Sequence, residues 1–222
     1  MNFLALVNRL KQECSVSGTA ITAVTGQIGE TARLISWIQE AHETIQLEYF
    51  DWFFLWKQAT LSTVATESVI DSSNASWPTD VNIWGQERFY ISDNPLTVEE
   101  YSEYEPGDST SGQPTKVFIL PDNTLKLSPT PDAVYSIAVD YYQTPKTLTA
   151  TTDEPLIPSR FGDRAIVGLA MTYYGLFEPA PEVLQRGQAM YDEAMRQMRN
   201  HQLAGRQNMV ALGSPNIIVR PE

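Results

Sequence analysis

The sequence predicts an α+β protein, an antiparallel helical bundle built from both chain ends with a small antiparallel β domain inserted between them. Three observations predict it. Amphipathic stripes with helical period occupy residues 1–57 and 151–205. Residues 58–150 change to short, β-rich runs broken by Pro, Gly, Asn and Asp. That middle block also carries 13 acidic and 4 basic side chains, a net of −9 out of the chain's −12. Residues 206–222 read as an extended C-terminal tail.

Each element has its own signal. Phe3, Leu6, Val7 and Leu10 share one face of a short helix over 2–13. A small-residue stretch, Ser15 to Gly26, separates it from a long helix expected from Ile28 to Trp56. Leu34, Ile35, Ile38, Ala41, Ile45, Tyr49, Trp52 and Trp56 form that helix's stripe, and its end is crowded with aromatic rings. In the middle block, strands are expected at 60–70, 88–92, 97–104, 116–120, 124–127 and 135–142. Residues 116–127 read as a hairpin closed by Pro121-Asp-Asn. Ser136, Ala138 and Asp140 alternate with Ile137, Val139 and Tyr141, the period of a half-buried strand. Helix returns near Ser159, with Phe161, Ala165, Leu169, Tyr173 and Leu176 as its stripe. It stops at Glu178-Pro-Ala-Pro, because proline inside a helix removes a hydrogen bond and clashes. Pro181 is placed to open the last helix. Leu184, Gly187, Tyr191, Ala194, Met195 and Met198 make that helix's apolar face, to about Leu203.

Composition narrows the function classes. The chain has 222 residues, 42% of them hydrophobic, within the globular range. Its single cysteine, Cys14, excludes an intrachain disulfide and a cysteine metal cluster. The first residues lack a secretory pattern, and no run approaches the length of a membrane span, so a soluble protein made in the cytoplasm is expected. An acidic chain is a poor match for phosphate-gripping partners, whose affinity comes from basic patches.

Catalytic signatures are sparse. Only His42 and His201 are present, without ligand spacing; His42 reads as a packed helix residue and His201 as a helix-end side chain. No nucleotide-binding glycine motif occurs, and Gly107–Gly112 misses a nucleophile elbow by one residue. The best catalytic candidate is the acidic run Glu99, Glu100, Glu103 and Glu105, since glycoside cleavage uses two carboxylates. In a strand, Glu99, Glu103 and Glu105 share one face, which is the ordinary pattern of a solvated edge. No cofactor and no metal are expected.

Several segments together carry a family resemblance. They are Gly29-Glu-Thr-Ala-Arg-Leu-Ile-Ser-Trp-Ile before the aromatic Asp51-Trp52, and Leu120-Pro-Asp-Asn-Thr-Leu-Lys-Leu-Ser-Pro-Thr-Pro-Asp. Tyr135-Ser-Ile-Ala-Val-Asp-Tyr-Tyr-Gln-Thr-Pro-Lys-Thr-Leu follows, then Asp153-Glu-Pro-Leu-Ile-Pro-Ser-Arg-Phe and Tyr173-Tyr174. In order and spacing the chain resembles the head-to-tail adaptor, or tail tubular, proteins of tailed bacteriophages over most of residues 1–203. The resemblance implies a non-enzymatic virion protein, assembled in the host cytoplasm and sitting at the head–tail neck. It implies a homo-oligomeric ring, commonly dodecameric, with the portal protein above and a tail tube, nozzle or other neck protein below. Double-stranded DNA would pass through without specific binding, and no membrane is involved. The alternative class is a virion-associated peptidoglycan hydrolase using Glu99 and Glu103. Within the adaptor reading, Glu99, Glu100 and Glu103 are candidates for an acidic channel wall. Ile217, Ile218 and Val219 are candidates for docking onto the portal or a neighbouring subunit.

Overall fold

The computed structural model describes residues 1–99, 101–103 and 110–202, without the side chains of Glu87 and Glu103. Helix and sheet are both present, and most strand pairs are antiparallel. The chain separates into two compact units, one from Met1–Phe54 and the segment beginning at Pro145, the other from Leu55–Thr144.

The first unit contains α1 (Phe3–Glu13), α2 (Gly29–Glu48), α3 (Ser159–Phe177) and α4 (Pro181–Gln202). Helix α1 follows the expected stripe, burying Phe3, Leu6, Val7 and Leu10. Its start is capped by Asn2, whose side-chain oxygen accepts the Ala5 N–H at 2.9 Å and so satisfies one of the free amides of the first turn. Asn8 then clamps the following loop. Its Oδ1 accepts the Ile21 N–H at 2.8 Å and its Nδ2 donates to the Ile21 carbonyl at 2.9 Å.

Helix α2 is shorter than its stripe suggests. It ends at Glu48, Tyr49 turns to extended backbone, and Trp56 begins a strand. Trp52 stays fully buried, but it does so from the turn after the helix. From there its indole N–H donates to the Ile45 carbonyl at 3.0 Å, satisfying an acceptor that the helix end leaves open.

Helix α3 corrects the expected stripe. Phe161 and Ala165 are buried as read, but Leu169 and Tyr173 are only half-buried and Leu176 is exposed. The packed face includes Ala165, Gly168, Met171, Thr172 and Gly175. It turns toward α4 because the two backbones come very close there. A Cβ on Gly168 would lie 2.8 Å from the Tyr191 nitrogen, one on Gly175 2.8 Å from the Leu184 nitrogen, and one on Gly187 2.8 Å from the Met171 Cβ. Helix α4 opens at Pro181 and buries Gly187, Ala194, Met195 and Met198 of its expected face, while Leu184 and Tyr191 are half-buried.

Among the described residues the second unit has ten strands: β1 (Trp56–Ser62), β2 (Val69–Ile70), β3 (Val81–Ile91), β4 (Asn94–Pro95), β5 (Thr97–Glu99), β6 (Ser111–Gly112), β7 (Lys116–Ile119), β8 (Leu125–Ser128), β9 (Thr130–Pro131) and β10 (Ser136–Gln143). They form sheets ordered β1-β10-β3-β4 and β2-β8-β7-β5, with a small β6-β9 pair. The expected hairpin is β7–β8, and Asn123 takes the left-handed φ of +67° in its turn. Two ladders, β5–β7 and β6–β9, are parallel, so the unit is not purely antiparallel. Leu61, Ile70, Trp84, Phe89, Val117, Leu125 and Ile137 fill the core. The Trp84 ring meets Trp77 and Tyr141 edge-on, at 5.1 and 6.0 Å between centroids.

The expected strand over 97–104 stops at Glu99, and Tyr101–Glu103 form a 3-10 turn. Glu99 and Glu103 therefore do not share a strand face, and Glu105 lies outside the described residues. A 3-10 turn winds side chains around its axis at three residues per turn instead of alternating them.

Candidate functional site

In the second unit, Glu99 sits at the end of β5, two residues past the Thr97–Lys116 register pair. Its carboxylate meets the Lys116 ammonium at 3.1 Å. Parallel pairing of β5 with β7 brings these opposite charges together. Glu100, Glu105 and the side chain of Glu103 lie outside the described residues, as do Ile217, Ile218 and Val219.

The outer face of β1–β10–β3 forms a groove lined by Gln58, Thr60, Arg88, Tyr90, Ala138 and Asp140. Asp140 departs from the simple alternation read in the sequence, because it is only 8% exposed. The β10–β3 register shifts around it, and Gly85 leaves room for it: a Cβ there would stand 3.1 Å from the Asp140 carbonyl oxygen. Gln58 Nε2 donates to the carboxylate at 3.1 Å, and Arg88 Nε lies 3.7 Å away. The groove's one carboxylate is thus already engaged by an amide and a guanidinium. Among the described residues, no three His, Cys, Asp or Glu side chains are grouped to hold a metal ion.

The first unit carries aromatic surface. Trp37 of α2 meets Tyr174 edge-on at 5.9 Å and Phe177 at 5.7 Å, and the Arg33 guanidinium lies 4.2 Å above the Phe177 ring. Arg, Trp and Tyr are the residue types that dominate protein–protein hot spots. Sequence reading placed Arg33 and Trp37 only inside a family motif; the signal available was their i, i+4 spacing on α2. At the other end of α2, Glu48 accepts from Tyr191 at 3.0 Å and pairs with Arg199. Burial, then the Glu48 charge and hydrogen bond, hold the Tyr191 phenol protonated well above its ordinary range.

His42 of α2 is fully buried. Its Nδ1 lies 3.2 Å from Gln46 Nε2, and its Nε2 has no hydrogen-bond partner. Burial first, and the Lys146 charge second, depress its pKa to about 4. His201, in the last turn of α4, is exposed and packs its ring 5.3 Å from that of Phe161. Neither histidine faces a described carboxylate in a catalytic arrangement.

What this molecule presents is a set of packed aromatic and polar surfaces, and its sequence matches the model of the SU10 adaptor protein family over residues 1–217. The chain belongs to that family. No curated protein matches it. An SU10-family adaptor is a structural protein of a bacteriophage and not an enzyme, placed at the virion neck where portal and tail proteins meet. No helix among the described residues is long and apolar enough to cross a membrane. For an adaptor, the relevant surfaces are the ones that meet other chains, which gives the Arg33–Trp37–Phe177 cluster and the outer face of β1–β10–β3 more weight than any single carboxylate.

Proposed function

We propose that the chain forms a homo-oligomeric ring, commonly a dodecamer in such adaptors, below the portal, joining the capsid to the tail and letting the genome pass. The observation that carries this reading is the family match along nearly the whole chain. In this reading residues 1–57 and 151–205 make an antiparallel bundle, and 58–150 are a β domain inserted into it. Subunits meet side by side through heterologous contacts, which close into a ring when the rotation between neighbours fits. The portal lies above, and a tail tube, nozzle or other neck protein below.

The acidic middle block, with Glu99, Glu100 and Glu103, supplies negative charge to the channel wall. Like charge keeps passing DNA from adhering, over a range of about 8–10 Å at physiological salt. Within this scheme the Lys116 partner mutes Glu99. Ile217, Ile218 and Val219 dock the tail onto the portal or a neighbouring subunit. Electron microscopy of purified particles, or of the protein mixed with its portal, tests the assembly directly. A ring of this chain at the neck is the expected result, and symmetric maps without one would overturn the proposal.

A further inference from the structure

Strand β1 carries a long backbone edge with no strand beside it. Its other side is laddered to β10 throughout, from Trp56 opposite Tyr142 to Ser62 opposite Ser136. The bonding phase is fixed just past the strand, where the Thr63 N–H donates to the Tyr135 carbonyl at 2.9 Å. Residues alternate in phase along an antiparallel ladder, so Lys57, Ala59 and Leu61 turn their backbone groups to β10. Trp56, Gln58, Thr60 and Ser62 therefore turn theirs outward.

At Ser62 the outward groups are closed off. Its N–H donates to Ser76 Oγ at 2.8 Å, and its carbonyl accepts from Asn74 Nδ2 at 3.0 Å. At Trp56, Gln58 and Thr60 no described residue bonds the outward backbone groups, and all three residues are exposed.

The other sheet margins are guarded. Strands β2, β4, β6 and β9 have two residues each and β5 three, and β4 and β9 carry Pro95 and Pro131. Strand β3 is covered by β4 only at Tyr90 and Ile91. Elsewhere its register shifts opposite Val139 and Tyr141, and its Asn82 carbonyl accepts from Asn123 Nδ2 at 2.9 Å. Short strands, prolines and irregular register keep an edge from pairing. A lysine serves the same end, but the Lys57 ammonium is held by Asp80 at 2.5 Å. Among the described residues, β1 is thus the edge that is both long and regular.

We propose that β1 pairs antiparallel with β1 of a second copy, joining their two four-stranded sheets edge to edge. A two-fold centred on Gln58 sets it opposite Gln58 of the second copy and sets Trp56 opposite that copy's Thr60. Every outward group from Trp56 to Thr60 then gains a partner. The occupant follows from this fit. The second copy's strand begins at Trp56, so it stops opposite Thr60 and leaves the capped Ser62 beyond the shared ladder. Trp56 against Thr60 is an aromatic–β-branched pair, a favoured cross-strand combination. No other described edge of the chain offers three outward residues in regular register. The contact is isologous and does not rest on the ring reading.

The test uses the full chain. Sedimentation over a wide concentration range should show a monomer–dimer equilibrium. Amide exchange at Gln58 and Thr60 should slow as concentration rises, while that at Ser62 stays constant. Thr60→Pro removes an outward N–H and leaves the β10 ladder intact, so it should weaken the dimer about tenfold or more with the parent's circular dichroism. Because the proline variant can fold poorly, Gln58→Cys provides an independent reading. Mild oxidation should link it at dimer mass, whereas Ser136→Cys, exposed on the interior strand β10, should stay unlinked. A monomer at every concentration would overturn the proposal, as would a dimer or larger assembly that Thr60→Pro leaves intact. So would a Gln58→Cys protein that crosslinks no better than Ser136→Cys. Protection of the Gln58 and Thr60 amides that persists on dilution would assign the edge to a segment of the same chain and overturn it too.

Discussion

Gln46 holds Lys146 by both of the lysine's backbone polar groups. Its Oε1 accepts the Lys146 N–H at 3.0 Å, and its Nε2 donates to the Lys146 carbonyl at 3.0 Å. The side-chain amide thus stands in for a strand partner and ties the chain just past Pro145 to α2. Asn8 treats Ile21 the same way. Two loops of the helical unit are therefore fixed by amides that read backbone, a pairing that demands one geometry where apolar contact tolerates many.

Gln46→Ala should destabilise the subunit by about 2–3 kcal/mol, because it removes two hydrogen bonds and leaves partly buried backbone groups unpaired. Lys146→Ala keeps the clamp and should change stability by less than about 0.5 kcal/mol. Urea denaturation of the two variants separates the cases. Equal losses would show that the lysine side chain, and not its backbone, is what matters.

His42 lies one turn before Gln46 and gives the subunit an acid-sensitive term. Its folded pKa, about 4, is below the ordinary 6.5 because burial disfavours the charged ring. Between those values the unfolded chain binds the proton and the folded one does not. Stability from this group is therefore complete above about pH 6.5 and falls as pH drops toward 4, by on the order of 3 kcal/mol. Carboxylates such as Asp153, whose pKa is lowered chiefly by N–H groups of Ala150 and Thr149, lose their contribution only at more acid pH. His42→Met should flatten the fall in urea midpoint between pH 6.5 and 4.5. A variant with the parent's slope in that window would refute the assignment.

How much was legible in the sequence depends on what made each element. Helix α1 buries the four side chains its periodicity selects, because large apolar residues define that face, and α4 buries four of its six, leaving Leu184 and Tyr191 half-buried. Helix α3 departs further, since its packed face is made of Gly168, Met171, Thr172 and Gly175, and hydrophobic periodicity undervalues small residues. The end of α2 was hidden because Trp52 keeps the helical spacing while bonding back from a turn. Charge partners such as Glu99 and Lys116 come from β5 and β7, whose parallel pairing no local pattern announces. The tail residues 217–219 were chosen for their composition, and they lie outside the described residues.

The glycine contacts between α3 and α4 lead to a sharp expectation. A methyl on Gly187 would stand 2.8 Å from the Met171 Cβ and 2.9 Å from the Gly168 carbonyl, and backbone cannot swing aside as a flexible side chain can. Overpacking of this kind costs about 1–3 kcal/mol, against which alanine's better helix propensity returns about 1. Gly187→Ala and Gly168→Ala should each lower Tm by several degrees, while Gln188→Ala on the exposed side of α4 leaves it unchanged. A stabilised Gly187→Ala protein would mean the helices stand farther apart than described.

Under the channel reading, charge reversal at Glu99, Glu100 and Glu103 should slow genome ejection. The lag should shorten at high salt as screening weakens attraction between lysine and phosphate. Ejection is followed by dye uptake into released DNA. Parental kinetics in assembled particles bearing both Glu100→Lys and Glu103→Lys would remove these residues from the channel wall.

The tail offers the most direct functional test. Ile217, Ile218 and Val219 form a short β-branched run, and such a run gains backbone hydrogen bonds and apolar burial when added to an exposed sheet edge. Burial contributes about 1.5–3 kcal/mol per side chain, while ordering costs about 1–2 kcal/mol per residue, so one tail binds weakly. In the proposed ring, tails engaging together would multiply that weak contact into a firm one. The test deletes residues 214–222. The truncated subunit should stay folded, with the parent's Tm, yet fail to complete heads, and a peptide of residues 214–222 should compete with full-length protein for joining. Normal yields of infectious particles from the truncated protein would end the docking proposal, because nothing else in the chain supplies that run.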